Sequence, residues 1–92
     1  VCATDAALGE AAQIEALSVA VQARTAAVIE AGHRVETGIA TGTGTDCIVL
    51  ACLPGPQPYA GTHTAVGEAV GRAVYDAVRA GVAAWVETGG AE

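Results

Sequence analysis

The chain has 92 residues, about half of them apolar but drawn mostly from Ala and Val, which allows one small domain with little core. Phe and Met are absent, and Trp85, Tyr59 and Tyr75 are the only aromatic residues. Four Arg and no Lys against ten acids give a net charge of −6, so there is no basic footprint for a nucleic acid or an anionic membrane surface.

No apolar run reaches the ~20 residues of a membrane span, and no basic segment marks a signal peptide. Cys2, Cys47 and Cys52 form no Cys-x-x-Cys pair. An odd count without a framework implies reduced thiols in a cytoplasmic protein, each read as a core residue.

At the start of the chain, Thr4 or Asp5 is expected to cap a first helical turn. A long helix follows from about Glu10 to Ala31, with Ile14, Leu17, Val21, Val28 and Ile29 at helical spacing and alanine filling the same face. Gly32 suits the left-handed cap behind it. His33, next to the negative helix end, reads as an exposed residue complementing that charge. Residues 34–40 fit a short edge strand.

The stretch Thr41-Gly42-Thr43-Gly44-Thr45-Asp46 follows, and then residues 46–53 turn fully apolar. That run reads as a strand covered on both faces. Three prolines in five residues, Pro54 to Pro58, exclude a ladder and demand a loop. A second helix is expected from about Ala65 to Val86, with Val66, Val70, Val74, Val78 and Val82 on one face and Trp85 extending it. Gly67 and Gly71, four apart in that helix, predict close approach of a neighbouring backbone. Residues 87–92 read as a disordered tail. The order helix, strand, helix indicates an α/β layer structure: two long helices on a short sheet, within one domain spanning 1–92.

The Thr-Gly run admits three uses. A phosphate cradle joins a strand end to a helix start and commonly carries a Gly-Lys-Ser/Thr sequence, whereas this run enters a strand in a chain without lysine. A turn is compatible with Gly42 and Gly44, which would close a hairpin between residues 35–41 and 46–53. Yet a plain turn does not require the hydroxyls of Thr41, Thr43 and Thr45, and those fit a site for polar amide or hydroxyl groups. Gly61-Thr62-His63-Thr64 forms the second polar cluster. Thr64 is a natural N-cap for the second helix. His63 then sits beside the positive helix end, which favours neutral imidazole able to act as a base. Asp46 is a candidate to orient His63, provided the ten-residue loop between strand and helix folds back, or the two meet across a subunit interface.

TGTGTD at 41–46, an apolar strand, and YAGTHT at 59–64 before a Gly-containing helix resemble the adenosylcobinamide amidohydrolase (CbiZ) family. VQARTAAVIEAG at 21–32 is similar to the family's helix with a Glu-Ala-Lys-Thr-Ala-Ala core, with Gln22 and Arg24 in place of Glu and Lys. The resemblance implies hydrolysis of the amide joining the aminopropanol arm to the corrin ring, releasing adenosylcobyric acid for corrinoid salvage. The cobalt belongs to the corrinoid substrate, and neither a protein metal ligand nor a cofactor is implied. Only the C-terminal half of the family's domain is matched. A second chain, an oligomer mate or an N-terminal half is therefore expected to complete the layer.

Amide hydrolysis needs a base, an oxyanion donor and an acid for the leaving amine. His63 is the candidate base and acid, with Asp46 as its orienter or replacement. Thr41, Gly42, Thr43, Gly44, Thr45, Gly61, Thr62 and Thr64 are the candidate substrate-binding residues. Cys47 is a weaker nucleophile candidate, because an apolar strand disfavours the thiolate. A non-catalytic corrinoid-binding module and a structural subunit are the competing readings.

Overall fold

A computed structural model describes residues 1–42 and 47–89. Six elements follow in order: β1 (Cys2–Leu8), α1 (Glu10–Ala31), β2 (Arg34–Val35), β3 (Gly38–Ile39), β4 (Leu50–Pro54) and α2 (Ala65–Glu87). β1 and β4 pair in parallel, with Cys2 opposite Leu50 and Leu8 opposite Pro54. Both helices pack on this two-stranded sheet and against each other. The mixed α/β class read from the sequence is the class observed.

The first strand replaces the helical turn expected at Thr4 or Asp5. Its alanines carry little strand propensity of their own, so pairing with β4 decides its conformation. The register slips between Ala3 and Ala7. The Thr4 hydroxyl accepts from the Ala6 amide inside that irregularity, at 3.1 Å. Cys2 and Leu8 nonetheless both point into the core.

The helices run in the same direction. Glu15 of α1 meets Ala60 just before α2, Glu30 reaches Arg79, and His33 meets Trp85 beyond and near the helix ends. The molecule is correspondingly elongated, 45 × 21 × 21 Å. Gly32 ends α1 at φ 71°, as its position predicts, and its amide donates to the Ile29 carbonyl.

The buried face of α1 is not the stripe of large residues. Ala12, Ala16, Val19, Ala20, Ala27 and Val28 are buried, whereas Ile14 is 70% exposed and Leu17, Val21 and Ile29 are also exposed. Small side chains allow the close approach to α2 that a Leu/Ile face would prevent. In α2 the valine stripe does turn inward: Val70 is buried, and Val66 and Val74 pack against it. A Cβ on Gly67 would overlap the carbonyl oxygens of Gly61 and Ala60, and one on Gly71 would crowd Val19. Gly67 therefore marks the expected backbone contact, whereas Gly71 faces a side chain of α1 instead of a backbone.

Two further expectations change. Residues 34–40 form their own small hairpin, β2 with β3, while β4 pairs with β1 instead of with this segment. β4 also begins later than expected and includes Pro54, and its outer face is open, with Leu53 67% exposed. His33 is half-buried rather than exposed, packed edge-on against Trp85 with ring centroids 4.9 Å apart. Of the cysteines, Cys2 is buried and Cys52 half-buried, but Cys47 is exposed. α2 runs one residue past the expected boundary, through Glu87.

Candidate functional site

The segment from Gly55 to Thr64 stays at the carboxyl ends of the strands. Gly55 N–H donates to the Leu8 carbonyl, Gln57 N–H to the Ala7 carbonyl, and Gly9 N–H to the Gln57 carbonyl, at 2.9–3.1 Å. The carboxyl end of a parallel sheet, where helix amino termini gather, is the usual ligand side of an α/β layer. Ala60 is fully buried, and its amide donates to Glu15 Oε1 at 3.0 Å.

Thr64 caps α2 as the sequence predicts. Its Oγ1 accepts from the Gly67 amide at 3.0 Å and donates to the Gly61 carbonyl at 2.8 Å. Thr64 N–H also donates to that carbonyl, at 2.9 Å. The Thr64 hydroxyl is thus committed to the turn at both donor and acceptor. Thr62 and His63 are exposed at the tip, with Gly61 half-buried beneath them. The turn is pinned at its base and open at its apex, an arrangement that presents an imidazole to solvent.

Thr41 and Gly42 lie elsewhere. Ala40 N–H donates to the His33 carbonyl at 2.7 Å, beside Trp85 near the far end of α2. At 1.5 Å per residue, the helix between Thr64 and Trp85 spans roughly 30 Å. One chain therefore does not bring Thr41 and Gly42 to His63. The loop after β4 does not fold back toward its start, because Gly55 and Gln57 are tied to the end of β1. Thr43, Gly44, Thr45 and Asp46 lie outside the described residues.

Between α1 and α2 runs an open groove of about 460 Å³ that reaches the turn at Thr62. Its polar lining includes Gln22, Glu68, Arg72, Tyr75 and Asp76. A hydrogen bond and charge attraction from Glu68 raise the pKa of the Arg72 guanidinium. Tyr75 donates to Glu30, and that bond raises its phenol pKa. Among the described residues no cluster of three or more His, Cys, Asp or Glu could hold a metal. No described helix is long and apolar enough to cross a membrane.

The apolar pattern of α1 gives no role to Glu15, which lies outside its large-residue stripe. Its spacing held the signal: Glu15 stands three residues after Ala12 and four before Val19, on the small-residue face that packs inward. A carboxylate on such a face needs a partner, and the Ala60 amide is that partner.

The family model for adenosylcobinamide amidohydrolase matches residues 1–90. The chain belongs to the adenosylcobinamide amidohydrolase family. An adenosylcobinamide amidohydrolase of Halobacterium salinarum is 39% identical over 82 residues, covering 87% of this chain and 33% of that relative. The chain thus spans about a third of the length of the curated relative it matches. No solved structure matches it.

Proposed function

We propose that this chain carries the His63 side of an amide-hydrolysing site that acts on adenosylcobinamide. The reaction cleaves the amide that joins the aminopropanol arm, releasing aminopropanol and adenosylcobyric acid. Family membership is the observation that carries this reading. The exposed His63, on a pinned turn at the ligand side of the sheet, agrees with it.

In this scheme His63 takes a proton from the attacking water and returns it to the leaving amine. The amide of Gly61 and the hydroxyl of Thr62 are donors for the developing oxyanion. Thr41, Gly42, Thr43, Gly44, Thr45 and Asp46 contribute to the same reaction across a copy of the chain or a further polypeptide layer. Thr64 serves by capping the turn.

Incubation with adenosylcobinamide and detection of free aminopropanol tests the proposal. Release above a no-protein control is the expected result. A second reading, corrinoid binding without hydrolysis, is favoured by the distance between Thr41 and the His63 turn. It predicts a change in the corrin absorption spectrum with no aminopropanol released.

A further inference from the structure

Glu15 is a carboxylate from the middle of α1 that reaches a backbone amide 45 residues away. The amide it accepts from belongs to Ala60, which has no solvent exposure and sits in the cluster of Leu8, Ala12 and Ala16. A buried amide without water must find an acceptor inside the protein. Ala60 is followed directly by Gly61, whose carbonyl receives both Thr64 bonds. Gly61 also lies beside the second carboxylate oxygen, which would stand 3.7 Å from a Cβ placed there. The bond at Ala60 therefore fixes the base of the turn whose tip is Thr62 and His63. Sequence reasoning gave the orienting of His63 to Asp46; the described residues offer a different carboxylate, acting through the backbone.

We infer that Glu15 is the positioning residue of the His63 turn. Its carboxylate holds Ala60 in place and thereby sets where the imidazole is presented. The inference rests on the proposed role of His63 for its catalytic consequence, but the anchoring itself is measurable without substrate. In this account the acceptor oxygen matters and the negative charge does not, so glutamine, which keeps a carbonyl oxygen, is the conservative replacement.

The test compares wild type, Glu15→Gln and Glu15→Ala by amide hydrogen exchange, by the ring signals of His63 in NMR spectra, and by kcat and KM for adenosylcobinamide. Glu15→Ala is expected to speed exchange at Ala60 by about tenfold, the scale of one lost hydrogen bond. It should also shift the His63 ring signals and lower kcat with little change in KM, while Glu15→Gln stays near wild type in all three. Unchanged Ala60 exchange and unchanged His63 signals in a folded Glu15→Ala protein would overturn the inference. Loss of kcat in Glu15→Gln with Ala60 still protected would overturn it too, since the charge would then be the working feature. If no variant turns over, wild type included, the exchange and ring signals still decide the anchoring, and the hydrolase reading fails by itself.

Discussion

At the residue scale, three side chains define the candidate site: Thr64 commits its hydroxyl to Gly61 and Gly67, Glu15 holds Ala60, and His63 is left at the exposed tip. Thr64→Ala removes the cap of α2 and is expected to destabilise the fold by about 1 kcal/mol in denaturant unfolding. Thr64→Ser keeps the hydroxyl and should lie close to wild type. The cap was legible because a hydroxyl residue stands directly before a periodic apolar run. Glu15 was not, because its meaning depends on which face of α1 is buried. The periodicity of Ile14, Leu17 and Val21 points to the wrong face for that purpose. His33 shows the same limit on a smaller scale: nothing local announces that Trp85, far along the chain, will cover it.

At the element scale, contact between small residues governs the packing. The start of α2 passes so close to the turn before it that only glycine fits at position 67. Gly67→Ala gains helix propensity worth about 1 kcal/mol, yet the overlap with two backbone carbonyls should win. A net loss of about 2 kcal/mol is expected, the scale of overpacking a tight contact. In thermal unfolding this corresponds to a Tm lower by roughly 10 °C. A variant as stable as wild type would show that the turn and helix are less closely joined than described. Both long helices and the later strand were readable from apolar periodicity and from the turn residues around them. β1 was not, because an alanine-rich segment becomes a strand only when β4 lies beside it. Pairing between segments far apart in sequence leaves little trace in either one.

At the scale of the whole molecule, the helices cover one face of the parallel sheet and leave the other open. Val49 and Leu53 are exposed there, together with Ala3 and Ala51. Parallel sheets are normally covered on both faces, and two strands alone give marginal stability. The described chain is accordingly expected to self-associate with rising concentration in sedimentation velocity. Leu53→Asp should reduce that association by placing a charge on the open face. A strictly monomeric wild type across the same range would contradict this. Openness of the sheet also frames the separation of the two polar clusters: Thr41 and Gly42 lie near one end of a 45 Å molecule, the His63 turn toward the other.

Whether the His63 turn belongs to an amide-hydrolysing site is decided by the initial rate of aminopropanol release in His63→Ala beside His33→Ala. A fall of at least about 100-fold is expected for His63→Ala, the usual scale for a lost general base, and a rate within about threefold of wild type for His33→Ala, whose ring packs on Trp85 at the far end of the helices. Equal rates in wild type and a folded His63→Ala protein would contradict it.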